Sequence, residues 1–132
     1  MQIEEALMTF LLAQTGITGY VGTRSHFVRA PQATAKPYIV VTKVDAPRLH
    51  SHDGGSGLAH PRFQLSIFST TYKEAKEIAA AIQAALQGYS GTMGGAGGVA
   101  VGAALYDDET DFYEEDSGLY HVAADYIIWH EE

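Results

Sequence analysis

The sequence of 132 residues contains no cysteine. This absence excludes disulfide bonds, thiolate nucleophiles and thiolate metal ligands together. It is compatible with folding in a reducing cytoplasm. A chain of this length is typical of one domain that buries roughly two thirds of its unfolded surface in a single core.

Basic residues are scarce, with 8 lysines and arginines against 16 aspartates and glutamates, for a formal net charge of -8. Nonspecific nucleic-acid binding needs clustered cations to neutralise phosphates, so a DNA-binding role is disfavoured. The sequence also lacks an apolar run near the roughly 20 residues of a membrane helix. Its first residues are acidic where a secretory signal would be basic. We therefore expect a soluble, untargeted protein with no membrane partner.

The apolar periodicity predicts two helices and five strands. Helix signals begin at Ile3 and stop before Gly16, and return after the capping-box pattern of Thr71 and Glu74 until Gly88. Strand patterns cover residues 24–28, 37–44, 62–68, 99–106 and the C-terminal run. The order α-β-β-β-α-β-β favours an α+β fold, an antiparallel sheet of about four to five strands with two helices packed on it. Residues 37–44 and 62–68 are expected to be antiparallel neighbours.

The C-terminal run, residues 116–129, is a glycine-containing turn that leads into a long strand. Tyr126 lies on one predicted strand face and Trp129 on the other, and both faces are largely apolar. An apolar strand this close to the end of the chain suggests that something outside the monomer helps to bury it.

Residues 46–61 are predicted to form a long loop that is mobile in the free subunit and ordered by neighbours, because they contain several glycines and few apolar anchors. His50, His52, Asp53 and the later His60 are residue types that zinc accepts. Their spacing matches no closed coordination set, so we expect no metal here. Subunit contacts are the preferred interpretation of these histidines.

Residues 107–116 hold seven acidic residues. A calcium loop is not supported, because an EF-hand that started at Asp107 would place Phe112 where glycine is needed and Gly118 where glutamate is needed. We interpret the segment as a solvated turn between two strands, with an electrostatic contact surface as the alternative. Neutralising Asp108, Glu109 and Asp111 should then leave the fold intact.

Two glycine-rich segments resemble catalytic or nucleotide-binding motifs only in part. Residues 95–100 match the letters of a dinucleotide fingerprint but follow a helix and precede a strand, which reverses the required context. Residues 88–92 miss the nucleophile elbow, because the fifth position is Thr92. Neither phosphate binding nor serine hydrolysis is indicated, and no cofactor is expected.

The order of these elements resembles the bacteriophage tail-completion proteins, the tail terminator and head-to-tail joining family of long-tailed phages. The resemblance covers nearly the whole chain. The segments that carry it are an opening helix over residues 3–13, the strand at 36–40, the strand-to-helix transition at 62–72, and the turn at 116–120 before Asp125, Tyr126 and Trp129. The glycine-rich segment 91–98 is longer than the family pattern.

This resemblance implies a structural virion protein without catalysis. Its implied form is a hexameric ring that caps the tail tube and makes the head-to-tail joint, with the tail-tube protein and the head-closure protein as partners. DNA would only pass through the channel, and the protein would be in the host cytoplasm during assembly. The candidate assembly contacts are His50, His52, Asp53, Asp108, Glu109, Asp111, Tyr126 and Trp129.

Three alternatives remain open at this point. The first is another phage head-closure or minor tail component, which belongs to the same class of protein. The second is a metal-dependent hydrolase that uses the histidine loop, and it would require bound zinc in a concave pocket. The third is a calcium-responsive binding module built on the acidic segment.

Overall fold

The computed structural model describes residues 1–45, 48–51 and 54–131, with the backbone alone at 48–51 and 54–57. Within these residues the chain forms three helices and eight strands. The helices are α1 (Ile3–Leu12), α2 (Thr15–Val21) and α3 (Tyr72–Leu86). The strands are β1 (Ser25–Phe27), β2 (Tyr38–Asp45), β3 (Arg48–Ser51), β4 (Gly54–Ala59), β5 (Arg62–Ser69), β6 (Gly91–Met93), β7 (Val99–Glu114) and β8 (Leu119–Glu131).

The eight strands form one sheet, centred on β8. On one side β8 pairs antiparallel with β5 and, further along, with β4; on its other side it pairs antiparallel with β7. The predicted antiparallel pairing of β2 with β5 is confirmed, and β1 adds to β2 in parallel. The strands β1 and β7 therefore lie at edges of the sheet.

The three helices pack on one face of the sheet. Alternate residues of the strands point to these helices and are buried with them, including Phe63 on β5 and Tyr126 on β8, both 0% exposed. This two-layer arrangement confirms the α+β class. Across the part of the chain that the structure describes, no helix is long and apolar enough to cross a membrane.

The start of α3 follows the predicted capping pattern with one added residue. The Glu74 backbone N–H donates to Thr71 Oγ1 at 3.2 Å, as expected. The Glu74 carboxylate, however, accepts from Ser69 Oγ at 2.6 Å, and Ser69 Oγ accepts from the Thr71 N–H at 3.3 Å. The Ser69 hydroxyl at the end of β5 thus stands between the Glu74 carboxylate and the Thr71 N–H, which bond each other directly in an ordinary capping box. These bonds fix the helix to the strand before it.

The predicted numbers of strands and helices are too low. The structure has eight strands rather than four or five and a third helix, α2. The short elements α2 and β6 carry too few residues for a clear periodic signal, whereas β1 lies within the strand predicted at residues 24–28. The position of α2 depends on contacts with α3, which is distant in sequence, and β6 pairs with β7 across a short turn.

The predicted long loop at 46–61 is largely a continuation of two strands. The β2–β5 ladder ends at Asp45 opposite Arg62, and the β3–β4 ladder starts at Arg48 opposite Ala59. The four strands thus make one long hairpin with an irregularity between its two ladders. Glycine-rich sequence has low β-propensity, so cross-strand pairing and not pattern identifies β4.

The predicted acidic turn is also wrong, because β7 continues to Glu114 and only residues 115–118 form the turn. Residues 108–114 each face a partner on β8, from Asp108 opposite Asp125 to Glu114 opposite Leu119. Charged side chains are tolerated at this place because β7 is an edge strand, where charge also discourages unwanted strand pairing.

Candidate assembly surfaces

The sheet face opposite the helices, called the outer face below, carries a row of aromatic rings. Tyr38, Phe68, His121 and Phe112 lie side by side on β2, β5, β8 and β7. Successive ring centroids are 5.0, 4.3 and 5.3 Å apart. The described helices lie on the other face of the sheet, so a partly exposed aromatic strip crosses four strands.

The imidazole of His121 in the aromatic row is shifted towards its neutral form. Burial lowers the pKa of its imidazole, and the nearby Glu114 carboxylate opposes this shift only in part. Its Nε2 is buried and has no hydrogen-bond partner among the described residues. The ring therefore contributes stacking area to the outer face rather than charge.

Two aromatic residues of β8 that were predicted as contacts lie on opposite faces, as the alternation predicted. Trp129 is on the outer face, partly exposed, and stacks on His60 with ring centroids 4.2 Å apart. Tyr126 is in the core at 0% exposure, so its side chain is not available as a contact, and that assignment is corrected. Burial raises the pKa of the Tyr126 hydroxyl, which has no hydrogen-bond partner among the described residues.

The acidic segment is divided between the two faces of β7. Glu109 and Asp111 point to α3, where the Lys76 ammonium contacts Glu109 and lies 3.1 Å from Asp111. The Tyr72 hydroxyl donates to Asp111 at 2.7 Å. The Glu109 side chain is only 17% exposed. These two carboxylates attach β7 to α3 and are not part of a solvated turn, while the intact fold after their neutralisation stays a prediction.

The other carboxylates of the segment lie elsewhere. The Arg62 guanidinium contacts Asp107 and is 3.5 Å from Asp125, while Asp108 accepts from the Glu109 backbone N–H at 2.9 Å. Of the three acidic candidates, Asp108 alone remains exposed without a cation partner among the described residues.

The end of β7 and the turn that follows are more exposed than the rest of the strand. Phe112 and Tyr113 are 49% and 54% exposed, next to the exposed Glu115 and Asp116. Neither ring is among the contacts predicted from the sequence, because the segment was interpreted as a solvated acidic turn. The signal was present, since two adjacent aromatics in a charged segment are unusual for a solvated loop.

The opposite edge of the sheet carries a second exposed apolar pair. Phe27 is 46% and Val28 69% exposed, and Val28 has a positive φ of 65°. Two hydrogen bonds hold this kink, from the Val28 N–H to the Val41 carbonyl at 2.9 Å and from the Arg29 N–H to the Phe27 carbonyl at 2.6 Å. A β-branched residue in the left-handed region is strained, and such strain is concentrated at functional positions.

The histidine hairpin is described only in part. The backbone of His50 lies in β3 opposite Gly55, whereas His52 and Asp53 lie outside the described residues. Among the side chains that are described, no group of three or more histidines, cysteines, aspartates or glutamates could hold a metal ion. The contact role of the three residues stays a prediction.

The Lys76 cluster yields a stability prediction. Replacing Lys76 with methionine should lower the free energy of unfolding by about 1–2 kcal/mol at pH 7, because it leaves the mostly buried Glu109 without its cation. The pKa of Asp111 is lowered, first by the Tyr72 hydrogen bond and then by Lys76. Its stabilising contribution is therefore present above about pH 4 and is lost as the pH falls through the lower folded-state value.

Urea unfolding at pH 7 and pH 3 measures this effect. The difference between wild type and variant should be smaller at pH 3, because the stabilising contribution of Asp111 is lost as the pH falls towards its lowered pKa. Lys73→Met is the matched control, since Lys73 is exposed and makes no ion pair with any described residue; it should change stability by less than about 0.5 kcal/mol. Equal losses in the two variants would contradict the assigned role of Lys76.

The chain was compared with known protein families, curated proteins and solved structures. Residues 5–131 match the family model described as tail completion protein gp17. No curated protein matches the sequence. The fold is similar to that of a chain in the virion of a native gene transfer agent (GTA) particle, with a TM-score of 0.82 and 18% sequence identity over 98% of this chain and 95% of that one.

Proposed function

Because the chain belongs to the tail completion protein gp17 family, we propose that it completes the tail as a homo-oligomeric ring, most simply a hexamer. The ring caps the end of the tail tube and forms the joint with the head. Its function is structural and consists of shape and charge complementarity with its neighbours. The observation that carries this proposal is the family match, which leaves no more than a few residues of the chain outside it.

The exposed apolar residues support a ring. Phe27 and Val28 are exposed at the end of β1, and Phe112 and Tyr113 are exposed near the end of β7. A subunit whose apolar residues are exposed on different strands can make heterologous contacts, which close into a ring when the rotation between subunits allows it. The similar fold of a chain in a GTA virion agrees with a role in an assembled particle.

Two faces of the ring remain for other partners, the tail-tube protein and the head-closure protein. Trp129 and His60 on the outer face, Asp108, and the hairpin that carries His50, His52 and Asp53 are the proposed contact residues. DNA passes through the channel without being held, because a protein with a net charge of -8 repels phosphate. The protein is a virion component that we place in the host cytoplasm until it is incorporated.

The test is particle assembly without this protein. We expect unjoined heads and tails, with tails of irregular length, and we expect purified protein to restore joined particles. Electron microscopy of both preparations gives tail length and the joined fraction. Normal tail length with empty, leaking heads would instead indicate a head-closure role, and normal joined particles would refute the proposal.

A further inference from the structure

The side of β7 that faces away from β8 is occupied along the first part of the strand. β6 pairs with the start of β7. Further on, the Gly88 N–H donates to the Ala104 carbonyl at 2.8 Å, and the Ala104 N–H donates to the Tyr89 carbonyl at 3.1 Å. The Gln87 side-chain oxygen then accepts from the Tyr106 N–H at 2.6 Å. The main-chain groups on this side are therefore satisfied as far as Tyr106.

Beyond the bulge that follows Tyr106, this side of β7 is open. Alternate residues of an antiparallel edge strand turn their main-chain groups away from the sheet. After the bulge these begin with Glu109, whose N–H is bonded by the neighbouring Asp108 carboxylate at 2.9 Å and not by β8. The same alternation turns Asp111 and Tyr113 outward, and no described residue on that side accepts from their N–H groups. Residues 109–113 are called the open edge below.

Aromatic rings on both faces of the sheet end at the open edge. The aromatic row of the outer face ends at Phe112, which is 49% exposed. On the helix face, the ring of Tyr113 is 4.9 Å from that of Tyr120 between centroids and is 54% exposed. Each of these two β7 rings has an aromatic neighbour on β8 and, among the described residues, none on its other side. A further strand would extend both rows, because aromatic residues on adjacent strands stabilise each other.

The charges beside the open edge select the kind of strand that fits. Lys76 already binds the carboxylates on the helix face. On the outer face, Asp108 and Glu114 are exposed on either side of Phe112 and make no ion pair with any described residue. Arg29 lines one pocket with Glu114 but is not paired with it. The outer face of the open edge is therefore acidic, and a basic strand complements it.

We propose that the open edge binds an extended segment of another polypeptide as an added antiparallel strand. This segment carries a lysine or arginine opposite Glu114, an aromatic or branched side chain opposite Phe112, and a second cation opposite Asp108. Its two cations are six positions apart, with the apolar residue two positions after the first. Main-chain bonds provide the affinity in such a contact, and the alternate side chains provide the specificity. The inference rests on the proposed function for the source of the segment, another tail or head component.

A second copy of this chain fits the open edge poorly. Pairing two open edges would bring Asp108 and Glu114 of both copies together, and like charges across an interface oppose association. Among the described side chains on strands, the lysines and arginines are Lys43 and Arg62, and both are in ion pairs within the subunit. Charge therefore favours a strand from a different protein.

Two synthetic peptides test the site on the purified subunit. One has the order Lys-Val-Phe-Thr-Thr-Val-Lys, and the other has glutamate in place of both lysines. In NMR titrations the basic peptide should bind at least about tenfold more tightly, because it alone complements the carboxylates. It should also slow the exchange of the Asp111 and Tyr113 amide hydrogens, which a peptide lying on either face of the sheet would leave open to water. Binding without this slowing, equal affinities, or no binding of the basic peptide would overturn the proposal.

Two pairs of substitutions separate the main-chain bonds from the side chains. Tyr113→Ala removes the ring, and Tyr113→Pro removes the ring and the outward N–H, which an edge strand tolerates. The proline variant should bind the basic peptide roughly threefold to tenfold more weakly than the alanine variant. Asp108→Asn with Glu114→Gln should instead abolish the preference for the basic peptide and keep the amide protection. Equal binding by the alanine and proline variants, or an unchanged preference after neutralisation, would place the peptide elsewhere.

Particle assembly separates this inference from the proposed function. We expect Tyr113→Pro to restore fewer joined particles than Tyr113→Ala. If the proline variant loses peptide binding but joins particles like wild type, the open edge has no partner there, and the proposal is overturned while the function stands. Slow exchange of the Asp111 and Tyr113 amides in rings of the purified protein alone would assign the open edge to a second copy and also overturn it. Failure of wild-type protein to join particles would refute the function, whereas the peptide measurements would still decide the site.

Discussion

Replacing Tyr126 with alanine should destabilise the subunit by about 3–5 kcal/mol, a large part of the 5–15 kcal/mol that holds a typical domain folded. Tyr126 is 0% exposed in the middle of β8, the central strand of the sheet. Its ring packs edge-on to Tyr106 on β7 with centroids 5.7 Å apart. Removal leaves a cavity between the sheet and the helices that the packed core cannot close.

Tyr126→Phe is the matched control, and we expect it not to lower the free energy of unfolding. The Tyr126 hydroxyl is buried without a hydrogen-bond partner among the described residues, so it carries a desolvation cost with no compensation. Phenylalanine keeps the ring and removes that cost, and we expect stability unchanged or raised by up to about 1 kcal/mol. Urea unfolding of both variants decides the point. A loss above about 1 kcal/mol in Tyr126→Phe would mean that the hydroxyl is bonded.

Gly98→Ala should destabilise the protein by about 3 kcal/mol or more, through the backbone. A Cβ atom at Gly98 would lie 2.1 Å from the Met93 carbonyl oxygen and 2.8 Å from that of Gly95. These are main-chain atoms of the turn that returns β6 to β7, so they cannot move aside as a side chain would. The turn also places Met93, which is 0% exposed, under α1. A shift of the turn would therefore disturb the core as well.

Gly102→Ala is the control for glycine replacement in the same region. Its nearest contact for an added Cβ is the Trp129 carbonyl oxygen at 3.8 Å, which is ordinary van der Waals distance. We expect a change of less than about 1 kcal/mol. Thermal and urea unfolding of the two variants, with far-ultraviolet circular dichroism to confirm the fold, makes the comparison. Similar stabilities for Gly98→Ala and Gly102→Ala would show that the β6–β7 turn can relax.

Tyr126 and Gly98 differ in how much of their role the sequence alone predicts. The alternation of the last strand already places Tyr126 and Trp129 on opposite faces, but both faces are apolar, so the pattern does not show which one meets the helices. The helices select the face of Tyr126, and its role therefore changes from contact residue to core residue. Gly98 was recognised only as part of a segment that fails to match a nucleotide-binding motif.

In the acidic segment, likewise, the sequence does not predict which carboxylates are paired with cations. Sequence shows seven carboxylates close together and predicts a solvated turn. It cannot show that Lys76 and Tyr72, more than thirty positions away, reach Glu109 and Asp111. A pairing of this kind depends on the packing of α3 against β7, and no local pattern encodes it. Glu109 is consequently the one acidic residue of the segment, among those described, that is not exposed.

Sequence by itself determined the α+β class, the first and last helices, the pairing of β2 with β5 and the resemblance to tail-completion proteins. These features follow from local periodicity, capping residues and the order of elements along the chain. The tertiary structure decided the number of strands, the hairpin of β3 and β4, the full length of β7 and the separation of buried from exposed aromatics and acids. Each of those depends on partners distant in the chain, because cross-strand pairing and burial are set by what lies opposite a residue rather than beside it.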